Sequence, residues 1–324
     1  MRTTLAPALA ILIYHRVLAR PDPLFPDQVD AARFTRHLGL LRRCFNVLPL
    51  ADALRRLDAG TLPARAACIT FDDGYADNAQ VALPLLQQHG MTACFFVATA
   101  YLDGGRMWND SVTDAVRAAP GPLLDLTRHG LGRHAIGSHG ERRSTAGALL
   151  RGLKYLPFSQ RQALAEAIGA AVRGPGPMMS GAQVQLLHRA GMEIGAHTDT
   201  HPILSTLAER SARSDIRAGK RRLEQLTGAP VRLFAYPNGE PGLDYGARDT
   251  AIVRDLGFEA AVSTHWGVVR ASTDRFQLPR FTPWDHSRLG FLLRMAGNRL
   301  RPDPSTVPAG GAALARHTSL RADI

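Results

Sequence analysis

Two pairs of residues, far apart in the chain, have the types and spacing for hydrolytic chemistry. Asp72 and Asp73 end the stretch Cys68-Ile-Thr-Phe-Asp-Asp-Gly-Tyr75. Adjacent carboxylates repel each other, which favours a nearby cation or a shared proton. Taken alone, Asp-Asp-Gly is better explained as an Asx-type turn with both acids in water. The second pair is His197 and His201, in Glu193-Ile-Gly-Ala-His-Thr-Asp-Thr-His201-Pro. A spacing of four predicts both imidazoles on one side of a helical turn, able to chelate one divalent ion. Two histidines and a carboxylate, each at the end of an apolar strand, form a recurring hydrolytic metal set with positions open for water and substrate.

The elements that must position these residues are short apolar runs. Strands avoid Asp and Gly, so the run from Cys68 must stop at Asp72. In α/β proteins the carboxyl ends of parallel strands are where chemistry collects. Further strands are predicted at Leu9–Ile13, Ala93–Val97, Gly191–Ala196, Val231–Tyr236 and Ala260–Thr264, with a last core element at Leu278–Phe281. Helices are predicted between them: Phe34–Leu41 with Asp30 as start signal, Ala51–Ala59, Asp77–His89, Val184–Ala190, Leu207–Leu226 and Ala251–Leu256. Strand–helix–strand alternation predicts right-handed crossovers and a parallel sheet or barrel. The stretch 103–177, rich in Gly and Pro, is read as an insertion at the carboxyl face lining a groove, with a helix over Gln160–Arg173. Within it Trp108-Asn109-Asp110 is the piece placed nearest the site, although packing alone accounts for a tryptophan.

The 324 residues suffice for one large α/β domain or two small ones, and 45% hydrophobic content is ordinary for a globular chain. The net charge of +11 by itself suggests nucleic acid, anionic lipid or an acidic glycan. The basic residues are dispersed among apolar ones without interleaved aromatics, so they read as solvated helix faces and no nucleic-acid partner is expected. Cys44, Cys68 and Cys94 match no zinc or disulfide spacing and read as buried free thiols. The apolar run after Arg2 has no clear cleavage site before Tyr14-His15-Arg16 and is too short to span a bilayer. A cytoplasmic location without an integral membrane segment is the resulting expectation; oligomeric state is left open.

Thr70-Phe-Asp-Asp-Gly-Tyr75, His197-Thr-Asp-Thr-His201 and Phe234-Ala-Tyr-Pro-Asn-Gly239, in that order, resemble the first three motifs of the polysaccharide deacetylases of the NodB-homology, carbohydrate esterase type. The resemblance runs from about Ile11 to Phe281 and is closest to the exopolysaccharide-modifying branch. It implies a deformed (β/α) barrel over residues 1–300; the Pro, Ala, Gly and Ser content after Pro302 separately predicts 301–324 as a disordered tail. The resemblance also implies metal-dependent removal of N-acetyl groups from an N-acetylated polysaccharide or its lipid-linked precursor. Asp73, His197 and His201 are then the metal ligands, with zinc expected and cobalt, nickel or iron suited to the same donors. Asp72 is the base on the attacking water, and the Tyr75 backbone N–H the oxyanion donor. His15 is the general acid, since Tyr14-His15 resembles a rearranged counterpart of a motif found late in other members; His265 and His286 are rival candidates. One departure stands out. The family's third motif carries an Arg that orients the base, where this chain has Ala235. Arg280, at the end of its own strand, is the candidate replacement. Two other readings share the chain: a hydrolase of small cyclic amides or O-acetyl groups on the same site, and an inactive glycan-binding barrel.

Overall fold

The computed structural model describes residues 7–301. The expected tail from 302 onward lies outside the described residues. Six parallel strands follow the order β1 (Leu9–Tyr14), β3 (Ala66–Phe71), β4 (Cys94–Val97), β7 (Glu193–Ala196), β8 (Leu233–Ala235) and β9 (Ala260–Val262). A seventh, β2 (Asn46–Val47), pairs with the start of β3. The sheet curls until its edges meet through the segment 278–281. Leu278 bridges to Val262 on β9, and Phe281 bridges to Leu12 on β1. Its backbone bonds reach both edges: Ser263 N–H to Leu278 O at 2.8 Å and Ile13 N–H to Phe281 O at 3.0 Å.

The helices between strands are α1 (Ala31–Cys44), α2 (Leu50–Asp58), α3 (Leu83–Gln88), α7 (Gly181–Arg189), α8 (Glu209–Thr227) and α9 (Ala247–Asp255). The connection from β4 to α7 carries α4 (Trp108–Ala118), the hairpin β5 (Leu123–Asp125) and β6 (Arg133–Ala135), α5 (His139–Leu153) and α6 (Phe158–Gly169). After 278–281, α10 (Arg288–Arg299) packs on α1. Asp30 does cap α1, accepting the Arg33 N–H at 2.8 Å. Ser138 and Ser180 form capping boxes with Glu141 and Gln183. The predicted helix over 77–89 is present, and it contains a π-turn at Asn78–Ala82 that runs into α3.

All six residues of β3 are buried, because helices cover one face and the barrel interior the other. The two-residue alternation of strands separates two cores. Leu9, Ile11, Cys68, Cys94, Phe96, Leu233, Ala235 and Val262 cluster with Leu50, Ala53, Leu54 and Leu57 of α2. The intervening residues, including Phe71, Phe95, Val97 and Phe234, cluster with the outer helices. Helix α2 is therefore the plug of the barrel, and Glu193 at the start of β7 accepts its first N–H groups, Leu50 at 2.6 Å and Ala51 at 2.9 Å. A third core joins α4, α5 and α6, with Trp108 packed inside it. All three cysteines are free thiols; Cys68 and Cys94 are buried and Cys44 half-buried.

Candidate metal centre

The strand–turn at Phe71-Asp72-Asp73-Gly74 sets the first side of the site. Asp72 still follows the strand, its N–H bonded to Tyr14 O at 2.9 Å. Asp73 and Gly74 then take left-handed φ values of 75° and 95°. A side chain at Gly74 would meet Val97 Cγ1 at 2.8 Å, so glycine is required there on both counts. An Asp in this conformation is held by its surroundings, a cost that recurs at functional sites. The reversal turns neighbouring carboxylates to different partners.

Asp73 faces the histidines. His197 Nε2 lies 3.4 Å and His201 Nε2 3.3 Å from the same oxygen, Asp73 Oδ1. All three ligand atoms lie within 4.8 Å of one another. Donors about 2.0–2.1 Å from a tetrahedral ion sit roughly 3.3 Å apart along each edge, so the donor set fits a divalent cation in type and spacing. His197 Nδ1 lies 2.8 Å from Ala235 O. A carbonyl only accepts, so Nδ1 carries the proton and Nε2 presents its lone pair, the usual arrangement of a ligating imidazole. Ala235, where an arginine was expected from the third motif, thus contributes its carbonyl. Burial opposes charge on all three groups. At Asp73 the two imidazoles outweigh it and hold the carboxyl well below its usual range. At His197 the carboxylates of Asp73 and Asp72 outweigh it and raise the pKa, whereas at His201 burial prevails and lowers it.

The expectation that His197 and His201 share a helical turn is corrected. Residues 197–203 are a loop, with Thr198 and His201 at left-handed φ of 64° and 51°. The loop is set by α8 rather than by helical repeat. Asp215 accepts from the Asp199 N–H at 2.9 Å, the Thr200 N–H at 3.2 Å and the Thr200 hydroxyl at 2.6 Å. Gly219 lets α8 approach this closely, since a Cβ there would come within 2.3 Å of Thr198 O.

Asp72 faces the other way. Arg280 donates from Nη1 to Oδ1 at 2.7 Å and from Nη2 to Oδ2 at 2.6 Å. Arg280 is wholly buried and also donates to Ser263 O at 2.9 Å and Thr70 Oγ1 at 3.1 Å. Burial raises the Asp72 pKa, but Arg280 and then His197 overcome it and keep the carboxylate ionised below the usual range. The segment that closes the barrel therefore delivers a guanidinium to the second carboxylate.

His15 is exposed just past β1, its carbonyl accepting Asn78 Nδ2 at 2.9 Å. Its charge acts on both Asp72 and Asp73. The rivals have other partners. His286 pairs with Asp27 at 3.3 Å and lies 3.0 Å from Arg33 Nη2; His265 Nδ1 lies 3.8 Å from Glu240 Oε1. Tyr75 sits opposite Met178 in an antiparallel bridge whose bonds run through its neighbours, Ala76 N–H to Pro177 O and Met179 N–H to Gly74 O. Its own N–H points away from Met178.

Three residues around Tyr75 went unassigned from sequence. The Tyr75 hydroxyl donates to the Asp110 carboxylate, 3.2 Å from each oxygen. The Arg16 guanidinium lies 4.6 Å over its ring and its Nε donates to Asp77 at 2.8 Å. Burial, reinforced by Asp73 and Asp114, pushes the Asp110 carboxyl up to about 7. The Trp108-Asn109-Asp110 stretch had pointed to this place. Nothing in the local sequence pointed to Arg16 or Asp77.

Parallel strands closed into a barrel, with a cation-binding donor set and an arginine-held carboxylate at one rim, define a hydrolase-type (β/α) barrel. The sequence matches the family described as "Polysaccharide deacetylase" over residues 59–261, well over half of the chain. The chain belongs to the polysaccharide deacetylase family. It is similar in fold to the Streptococcus pyogenes deacetylase PplD in complex with acetate, with TM-score 0.61 and 18% identity over 90% of this chain and 99% of that one. It is likewise similar to IcaB from Ammonifex degensii, with TM-score 0.60 and 20% identity over 90% and 97%. Among curated proteins, the candidate polysaccharide deacetylase YxkH of Bacillus subtilis is 33% identical over 91 residues, 28% of this chain and 31% of that protein. The matched stretch thus spans about a third of that relative.

Proposed function

We propose that the chain is a metal-dependent N-deacetylase acting on an N-acetylated polysaccharide or a lipid-linked glycan precursor. The observation that carries this is the sharing of Asp73 Oδ1 by the His197 and His201 Nε2 atoms beside an Asp72 clamped by Arg280. A divalent cation on Asp73, His197 and His201, zinc being the first choice, supplies Lewis acidity toward the acetyl carbonyl and acidity to the attacking water. Asp72 takes the proton from that water, and Arg280 fixes its orientation and keeps it ionised. The Tyr75 N–H donates to the carbonyl oxygen as negative charge develops there. His15, just past the end of β1 beside the strand that carries the two carboxylates, gives the proton that the departing amine needs.

The test is acetate release from a panel of N-acetylated glycans, with and without a chelator. The reading expects release that chelation abolishes and zinc or cobalt restores. Preferential cleavage of O-acetyl sugars or small cyclic amides would assign the same site to those substrates. Glycan retention with no stoichiometric metal and no acetate released would leave an inactive binding barrel.

A further inference from the structure

Helix α10 leaves the site rim after Arg280 and lies against α1. Its inward face is Phe291, Met295 and Asn298, all buried. On the opposite side Leu289, Leu293, Ala296 and Leu300 fall at i, i+4, i+7 and i+11, a single line at 3.6 residues per turn. The three leucines are 67, 62 and 77% exposed. The other large exposed apolar side chains, Leu123, Tyr155, Leu186 and Leu243, are far apart in sequence and form no such helical line.

By the same helical geometry, Arg288 and Arg299 flank the line on one shoulder and Arg294 on the other, with Arg301 just past the end of the helix. Neither α10 nor α1 contains an acidic residue, and α1 adds exposed Arg36, Arg42 and Arg43. Arg294 is held at its shoulder by Asp285 at 2.6 Å, and Arg301 by the Trp266 ring at 4.7 Å. A line of leucines flanked by arginines suits a lipid interface. The leucines enter the acyl boundary while the exposed Arg288 reaches the phosphates. A second copy of the chain suits it poorly, because pairing two such faces sets arginines against each other. Three leucines also offer far less than the roughly 800 Å² per partner of a stable interface.

We infer that this face of α10 docks on an anionic lipid surface. No helix among the described residues is long and apolar enough to cross a membrane. The docking is independent of the proposed reaction, and its test uses no substrate. The full chain is sedimented with vesicles of phosphatidylcholine alone and of phosphatidylcholine with phosphatidylglycerol. Binding is expected only to the anionic vesicles, weakening at high salt. Leu289→Asp with Leu293→Asp should reduce it at least tenfold with the circular dichroism spectrum unchanged, and Arg288→Glu should reduce it less. Failure of the wild-type chain to sediment with anionic vesicles would overturn the inference. So would undiminished binding by the double variant, or a wild-type dimer that the double variant converts to monomer.

Discussion

Among the described residues two arginines are buried to 2% exposure or less, and they sit in opposite settings. Arg280, in the segment that closes the barrel, meets Asp72 through two parallel hydrogen bonds. Arg161, on α6, has no carboxylate. Its Nη1 donates to Lys154 O at 3.0 Å, its Nε has no partner, and its guanidinium lies 5.0 Å from the Trp108 ring and 5.6 Å from the Phe158 ring. The first arrangement orients an anion, and removing either member strands a buried charge. The second uses aromatic faces to soften the burial of a cation, and burial lowers the Arg161 pKa accordingly. The buried charge of Arg280 thus orients an anion in the barrel, whereas that of Arg161 is seated on aromatic faces and reaches the site only through its field at His201. The partner, not the burial, tells the two apart.

The comparison is sharpened most by Arg280→Ala. Turnover should fall by about 10²–10⁴-fold with metal content unchanged, as expected when a catalytic base loses its orientation. Stability should drop by about 3–5 kcal/mol, because Asp72 is left unpaired in the interior. Normal turnover, or loss of metal together with activity, would dissolve the assignment of Arg280 to the base. Asp73→Asn addresses the neighbouring carboxylate and should instead abolish stoichiometric metal, read by elemental analysis, while the Asp72–Arg280 pair persists.

Arg161→Met should be much milder, about 1 kcal/mol or less, with metal content intact, since no carboxylate is stranded. A loss as large as that of Arg280→Ala, measured by denaturant unfolding, would break the contrast. A pH-dependent effect concerns Asp110, whose folded pKa of about 7 stands above the ordinary 3.8. A carboxyl raised on folding binds more protons folded than unfolded, so it takes stability away as pH rises through that window. Asp110→Asn should therefore flatten the decline in stability of metal-free protein between about pH 4 and 7. Parallel pH profiles for variant and wild type would show that Asp110 is ordinary in the folded chain.

Much of this architecture was legible residue by residue. The strand ending at Asp72, the strand feeding His197, and the closing segment at 278–281 all announced themselves as apolar runs broken by polar residues. Arg280 was picked out by its strand-end position, and the structure brings its guanidinium to Asp72. The helical turn for His197 and His201 was wrong because a spacing of four does not specify a helix. Contacts from α8, through Asp215 and Gly219, impose the loop. The π-turn at Asn78–Ala82 and the Arg16–Asp77 pair were invisible because they depend on how the loops after β1 and β3 meet.

The sequence by itself determined the alternation of strands and helices, the family, and which acids and histidines the carboxyl rim would hold. Those features are local: burial pattern, strand-breaking residues and motif order reside in contiguous stretches. The motif resemblance also named Asp73 for the histidines and, with strand-end position, Arg280 for Asp72; the tertiary structure decided the geometry that realises those pairings. The left-handed turn at Asp73 and the closure of the sheet by 278–281 set the directions of the two carboxylates. Such geometry comes from contacts between segments far apart in the chain, and no local pattern encodes it.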